Sequence, residues 1–165
     1  MKRGARRAQA MVEFALALPI FLLVVYGLME VGRLIFMEAT VVTASREAVR
    51  YASAWGVNSS NTQQYLDCTG IRDAAKNVGF LLGLSDSNIQ IGWDPGTSTT
   101  VTSYCAVGTG TQTGLTLTAG QRVVVTVTAT YQPILPFFLP LTTKNMTSTA
   151  RRTVMGIINL NTPTP

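Results

Sequence analysis

The sequence predicts an α+β fold in which a long N-terminal helix packs its outer half on a small antiparallel sheet, with a second short helix nearby, in a lollipop arrangement. Three observations predict it. Sixteen residues in a row, from Phe14 to Met29, carry no charge, and helical spacing of apolar residues continues to about residue 54. After about residue 88 the composition changes to Thr, Val and Ser with alternating apolar positions, which is typical of half-buried strands.

The N-terminal apolar run is long enough to cross a membrane. Counted from Met11 it has about nineteen residues, and at ~1.5 Å per residue it approaches the ~30 Å of a bilayer core. Glu13 is its only charged residue. The run is preceded by the basic residues Lys2, Arg3, Arg6 and Arg7. The positive-inside rule therefore predicts a single-pass membrane protein with a cytoplasmic N-terminus and an extracytoplasmic C-terminal domain.

These patterns divide the chain into four parts: a basic leader or cytoplasmic tip at residues 1–8, the long helix at 9–54 with its membrane span at about 11–29, an exported α+β domain at 55–158, and a flexible tail at 159–165. Pro19 removes one backbone hydrogen bond, so we expect it to bend the helix inside the span. Within the exported part, the sequence predicts a second helix and three strands, at 71–83, 89–93, 121–131 and 145–155.

The outer half of the long helix carries an amphipathic pattern. Its expected buried stripe includes Val31, Leu34, Ile35, Ala44, Ala48 and Tyr51. The opposite, solvated side is expected to hold Ser45, Arg46, Glu47 and Arg50. Glu30 and Arg33 are three residues apart on one face, and we expect them to form an exposed ion pair at the outer membrane edge, worth under about 0.5 kcal/mol.

The segment 133–140 is unusually apolar for a loop. It contains three prolines, which exclude regular strand structure there. The sequence allows two interpretations, a lid over the core of the sheet or a surface that contacts a partner or a membrane.

The charge and cysteine content restrict the partners and the compartment. The net charge is +5, but it falls to nine basic against eight acidic residues once the first eight residues are set aside, so no nucleic-acid partner is indicated. Cys68 and Cys105, about 37 residues apart, would lie in the exported part. An oxidising compartment favours one disulfide between them, and the alternative is two unpaired buried thiols.

The sequence gives no support for an enzyme. It has no histidine, which removes the commonest general base and metal ligand. After the long helix the acidic residues are Asp67, Asp73, Asp86 and Asp94. They form no paired-carboxylate pattern, and neither a phosphate-binding loop nor a Cys-x-x-Cys motif is present. We therefore expect no catalytic residues, no metal, no cofactor and no small-molecule substrate.

A motif-rich stretch of about 45 residues carries a family resemblance. It comprises Gln9-Ala10-Met11-Val12-Glu13-Phe14-Ala15-Leu16, Leu18-Pro19, Gly27, Glu30, Gly32-Arg33 and Ala44-Ser45-Arg46-Glu47-Ala48-Val49-Arg50-Tyr51-Ala52. This stretch resembles the N-terminus of the TadE/TadG-like family, pilin-like proteins of tight-adherence (Tad, Flp-type) secretion systems. An ordinary membrane anchor does not need these residues at these spacings.

The resemblance implies removal of the leader by a prepilin peptidase, a membrane aspartyl protease that cuts on the cytoplasmic side of the apolar run. The cut would fall between Ala8 and Gln9, which makes Glu13 the fifth residue of the mature chain. The family pattern has glycine before the cut, where this chain has Ala8. Gly4 offers another site, but a cut there places Glu13 too far along.

Glu13 needs either a partner or a polar position, because an acidic residue at a helix centre in lipid costs about 2.5–3.5 kcal/mol on insertion scales. The resemblance implies that it pairs with the freed amine of Gln9 on the same or an adjacent subunit during assembly. The alternative is that Glu13 lies at the cytoplasmic headgroups of an isolated anchor. Gly27 and Gly32 either permit close helix packing or are simply tolerated.

Three functions follow from this combination. The resemblance implies a pilin-like subunit, a minor pilin or pseudopilin, of a Tad pilus. Its partners would be the membrane, the prepilin peptidase, other pilin-like subunits and the Tad assembly platform. It would support pilus biogenesis and surface adhesion, in the membrane or in an extracellular pilus.

The sequence leaves two alternative functions. One is a permanently anchored single-span envelope protein with an exported binding domain. The other is a secreted protein with residues 1–44 as a signal peptide.

Overall fold

The structure, a computed structural model, describes residues 2–54, 56–118, 120–134 and 142–154, with side chains from Gln9 onward. It contains two α-helices, α1 (Lys2–Ser53) and α2 (Cys68–Val78), and four strands, β1 (Ile89–Asp94), β2 (Ser103–Cys105), β3 (Arg122–Tyr131) and β4 (Lys144–Thr153). Short 3-10 turns lie at Gln64–Leu66, Phe80–Leu82 and Asp86–Asn88. The prediction of an α+β fold with a long N-terminal helix, a second short helix and an antiparallel sheet is confirmed.

Helix α1 is continuous over 52 residues and contains Pro19 in its interior. It begins at Lys2, where the sequence pattern predicted a start at residue 9. The tip is rich in Arg and Ala, which have high helix propensity, and extending an existing helix requires no new nucleation. The basic tip is therefore part of the helix.

The described chain groups into two compact units. One consists of the chain up to Phe36 together with Tyr131–Lys144, and the other of Met37–Thr130 together with the chain from Asn145 onward. We refer to them as the span unit and the sheet unit. The tail at 159–165 and most of the loop at 133–140 lie outside the described residues.

The sheet unit is built on a four-stranded antiparallel sheet with the order β2-β1-β3-β4. In the β1–β3 pair, Ile91 lies opposite Val125 and Trp93 opposite Val123. Alternate residues of β3 from Val123 to Tyr131 are buried, which agrees with the alternating apolar positions of the predicted strand, and Val124 on the other face is buried as well. Strand β2 was not predicted, because three residues of mixed polarity carry no periodic signal.

Small residues of α1 form the helical side of the core in the sheet unit. The buried positions are Val41, Ala44, Ser45, Ala48, Val49, Ala52 and Ser53. The Ser45 hydroxyl lies 3.0 Å from the hydroxyl of Ser148 on β4, so the helix and the strand approach closely. Placing Ser45 on the solvated side was therefore wrong. Val31 and Ile35, predicted in the buried stripe, are exposed.

Helix α2 starts earlier and ends earlier than predicted. The Asp67 side chain accepts a hydrogen bond from the Gly70 backbone N–H at 3.0 Å and caps the N-terminus. The helix ends at Val78, and the 3-10 turn that follows is closed by Gly83 in the left-handed conformation. The helix predicted at 71–83 therefore corresponds to two elements, most of α2 and the 3-10 turn after it.

Candidate functional site

The first half of α1 is an apolar surface without protein cover. Among the described residues, α1 from Gln9 to Ser53 is the one helix long and apolar enough to cross a membrane, and its apolar window has no buried residue. Large side chains are exposed all round it, including Met11, Phe14, Leu16, Ile20, Phe21, Leu28 and Met29. A helix that is apolar on all sides needs an apolar environment, which fits association with a membrane.

The three residues of the predicted processing and pairing site lie in one turn and a half of α1. Ala8 belongs to the helix, but its side chain is outside the described part; Gln9 and Glu13 are exposed. Within the described chain, the Glu13 carboxylate has no hydrogen bond or ion pair to another side chain. A partner for Glu13 is therefore not supplied by the side chains that the structure describes.

Gly27 and Gly32 face open space. A Cβ built on either glycine would meet no atom within 4 Å among the described residues. The part of the chain that the structure describes therefore brings no packing partner to them. Their role in helix packing stays a prediction about contacts with another molecule.

A buried carboxylate lies directly after the apolar run of α1. Glu30 is only 2% exposed. The Tyr131 hydroxyl and the Ile134 backbone N–H both donate to its Oε1 atom, the latter at 3.2 Å. Arg33, one turn further along α1, donates to both carboxylate oxygens at 3.2 and 3.3 Å. Its other terminal nitrogen donates to the Gln132 backbone carbonyl at 2.5 Å. We call these five residues the Glu30 cluster.

The surroundings of Tyr131 in the Glu30 cluster favour its neutral phenol. Burial, and next the hydrogen bond to Glu30, raise the pKa of Tyr131 from 10.0 to about 12. The Arg33 guanidinium lies 5.1 Å from the centroid of the Tyr131 ring, within cation–π range. The carboxylate therefore has charge-assisted donors and does not remain as an unpaired buried charge.

The spacing predicted an exposed Glu30–Arg33 ion pair, and the predicted exposure is wrong. The two residues do pair, but Glu30 is covered by the chain from Tyr131 to Ile134. The available signal was Tyr131 itself, an aromatic residue at the end of the strand predicted at 121–131, because a buried tyrosine hydroxyl usually has a hydrogen-bond partner.

The sheet unit contains a second buried carboxylate. Asp94 is 0% exposed and accepts from Arg122 at 2.7 and 3.1 Å and from the Gly96 backbone N–H at 2.9 Å. Arg151 of β4 lies 3.4 Å away. Burial alone would raise the pKa of Asp94, but these donors and the two positive charges outweigh it and lower the pKa from 3.8. The cluster links three strands and has a structural role.

The two cysteines are also in the sheet unit. Cys68 at the start of α2 and Cys105 at the end of β2 are joined by a disulfide, with their Cα atoms 6.4 Å apart. The buried Arg72 donates to the backbone carbonyls of Ala106 and Thr109 at 2.8 and 2.9 Å. Together these bonds hold the loop after β2 against α2.

The sheet unit also has a polar cavity. A cavity of about 590 Å³ has walls that include Tyr51, Asn58, Asp67, Thr69 and Thr111. The Tyr51 hydroxyl donates to Asp67 at 2.9 Å, so this carboxylate already has a donor. Among the described residues no group of three or more His, Cys, Asp or Glu side chains could hold a metal ion.

The helix that carries the span and the Glu30 cluster matches a known family. Residues 8–50 match the family model described as TadE-like protein. The resemblance predicted from this stretch is therefore confirmed over these residues. No curated protein and no solved structure matches the chain. The TadE-like segment includes Ala8, Glu13 and Glu30, and the sheet unit after Arg50 lies outside it.

Proposed function

We propose that this protein is a pilin-like subunit, a minor pilin or pseudopilin, of a Tad pilus assembly system. The observation that carries the proposal is the uncovered apolar half of α1 within a TadE-like segment. Before assembly the helix anchors the chain in the membrane, with the basic tip in the cytoplasm and the sheet unit outside it. The protein acts by assembly with other subunits and supports pilus biogenesis and adhesion, without catalysis.

Processing by a prepilin peptidase is the step that converts the anchored chain into a subunit. Cleavage between Ala8 and Gln9 removes four of the basic residues that hold the N-terminus in the cytoplasm. It also creates a positively charged amine four residues before Glu13. Because Glu13 has no protein partner in the described chain, this amine, on the same or a neighbouring subunit, supplies the charge that offsets its cost in lipid.

The mature N-terminus tests the proposal. We would determine it by mass spectrometry on purified membranes and on sheared surface fibres from the same cells. We expect a chain that begins at Gln9 in both fractions. A chain that begins at Met1 and is confined to membranes would indicate a permanently anchored envelope protein instead. A chain that begins near Ser45 in the medium would indicate a secreted protein.

Two matched variants make the result specific to the site. Ala8→Gly introduces the residue that the family pattern has before the cut, and we expect cleavage to proceed at the same bond. Ala8→Leu places a bulky side chain there and should leave the leader attached. Gly4→Leu is the control, because it makes a similar change at the other possible site and should leave cleavage after Ala8 intact.

A further inference from the structure

The contacts of the Glu30 cluster fix where the segment Tyr131–Ile134 lies along α1. Glu30 follows Met29 directly, and Arg33 is three residues further on, within about 6 Å of the end of the apolar run at the standard helical rise. The segment is bonded to both side chains, through the Tyr131 hydroxyl, the Gln132 carbonyl and the Ile134 N–H. When the apolar run occupies a bilayer core, these four residues must lie at its outer boundary.

The segment exposes one polar residue, Gln132, and one large apolar residue, Ile134. Ile134 is 64% exposed although its backbone N–H is held by Glu30. Leu28 and Met29, on the last turn of the apolar run, are each 70% exposed. Moving such surface out of water is favourable at roughly 25 cal/mol per Å². Ile134 therefore adds exposed apolar surface, from a second part of the chain, at the level where the apolar run of the helix ends.

We propose that the segment Tyr131–Ile134 is a second lipid contact of this protein, with Ile134 inserted among the phospholipids of the outer leaflet at headgroup depth. The proposal rests on the membrane anchoring in the proposed function. The Glu30 cluster makes the insertion feasible, because the carboxylate near the lipid is covered and paired with Arg33, while the partly exposed Arg33 guanidinium can remain at the headgroups. Continuity with the span favours phospholipid over a second copy of the chain.

Site-specific fluorescence quenching in vesicles tests this inference. Both native cysteines are in the disulfide, so Ile134→Cys provides a single free thiol for a polarity-sensitive fluorophore. The full chain would be reconstituted into phosphatidylcholine–phosphatidylglycerol vesicles that carry a nitroxide at the headgroup, near the top of the acyl chain or near its end. Leu22→Cys, in the centre of the apolar run, is the matched control. Gln132→Cys provides a second reporter in the segment if the Ile134 variant does not fold.

We expect the Ile134 probe to be quenched by the headgroup and upper-chain nitroxides and much less by the deep one. The Leu22 probe should show the opposite order. Lack of lipid quenching at Ile134 and Gln132, with deep quenching at Leu22, would overturn the inference while leaving membrane anchoring intact. Lack of quenching at Leu22, in protein that does not float with vesicles, would instead overturn the anchoring.

A dilution series tests whether a second copy of the chain, and not lipid, covers Ile134. If another subunit covers Ile134, the probe should be shielded from aqueous iodide at high protein-to-lipid ratio and become accessible on dilution with lipid, with no nitroxide quenching. That result would overturn the lipid contact. Nitroxide quenching that does not change on dilution would support it.

Discussion

The hydroxyl of Tyr131, the last residue of β3, donates a hydrogen bond to the carboxylate of Glu30, the residue that ends the apolar run of α1. The two residues are 101 positions apart. With the bonds from Ile134 to Glu30 and from Arg33 to the Gln132 carbonyl, the helix holds this segment through side chains and backbone together. A short stretch of chain is thus fixed at one level of the helix.

Replacing Glu30 should release the segment from α1. In Glu30→Ala, the Ile134 N–H and the Tyr131 hydroxyl lose their acceptor, and Arg33 loses its ion pair. Leaving a buried polar group unsatisfied costs about 1–3 kcal/mol. We expect hydrogen exchange of the Ile134 amide to become roughly ten- to a hundredfold faster, measured by NMR or mass spectrometry on the full chain in detergent micelles.

Glu47→Ala is the matched control for this prediction. Glu47 pairs with Arg50 three residues later on the same helix, as Glu30 does with Arg33, but at an exposed position. Exposed pairs of this kind contribute little, so exchange at Ile134 should not change. Equal exchange rates in the Glu30 and Glu47 variants would show that Glu30 does not hold the segment.

The phenol of Tyr131 should make the fold sensitive to high pH. Its pKa is raised from 10.0 to about 12 in the folded chain. The folded state therefore retains a proton that the unfolded state has lost, so this contribution is fully present below pH 10 and is lost as the pH rises from 10 to 12. Tyr131→Phe should abolish this part of the pH dependence of unfolding.

Phenolate absorbance gives a direct measurement of the same property. Tyr51 also has a pKa raised to about 12, by burial and by its bond to Asp67. The absorbance step at that pH should therefore decrease in Tyr131→Phe and decrease further when Tyr51 is also replaced by Phe. An unchanged step in the single variant would mean that Tyr131 titrates outside this range.

Asp94 should be the most sensitive charged position of the sheet unit. Asp94→Asn keeps the shape but removes the charge that pairs with Arg122 and Arg151. Breaking a buried pair costs about 3–5 kcal/mol, and we expect the lower end because Arg122 is partly exposed. Denaturant unfolding in micelles, followed by the fluorescence of the adjacent Trp93, measures the change.

The same carboxylate should make the fold sensitive to low pH. Because the pKa of Asp94 is lowered in the fold, its contribution to the free energy of unfolding should be lost as the pH falls through 3.8 and below.

The control for the Asp94 variant is Asp73→Asn. Asp73 is 56% exposed and lies 3.7 Å from Lys76, a surface pair of the kind that contributes about 0–1 kcal/mol. Its unfolding midpoint should stay close to that of the unmodified chain. Similar midpoints for the two variants would contradict a structural role for the Asp94 cluster.

The parts of the fold that the sequence predicts well are those with a strong local period. The uninterrupted apolar run gives α1, and the alternation from Val123 to Tyr131 gives β3 and its buried face. Element ends are less predictable, because caps such as Asp67 and stops such as Gly79 act through single residues.

The Glu30 cluster could not be predicted in full, because its members come from distant parts of the sequence. Spacing on one helix pairs Glu30 with Arg33, but it carries no information that Tyr131 will cover them. The buried stripe predicted on α1 was too long for the same reason. Val31 and Ile35 fit the helical period, but no element covers them among the described residues. The roles of Ala8, Gln9 and Glu13 stay predictions, since they depend on other molecules.

The disulfide should provide a large share of the stability of the sheet unit. It closes a separation of 37 residues, for which the loop-entropy model gives about 3–4 kcal/mol. A Cys68→Ala, Cys105→Ala double variant should lose about this much in denaturant unfolding. Dithiothreitol should lower the stability of the unmodified chain to the same level and leave the double variant unchanged. A further effect of reductant on the double variant would show that it acts elsewhere.

Replacing Glu13 should impair assembly into fibres without impairing anchoring in the membrane. Glu13→Val removes the one charge of the span, so insertion into the membrane should be as good as or better than in the unmodified chain. Recovery in sheared fibres should fall sharply, because the freed amine of Gln9 on a neighbouring subunit loses its partner. Glu38→Val, an exposed acidic position further along α1, is the control and should leave recovery in fibres unchanged. If Glu13→Val chains enter fibres as efficiently as the control, Glu13 has no pairing role and lies at the cytoplasmic headgroups, where a carboxylate needs no protein partner.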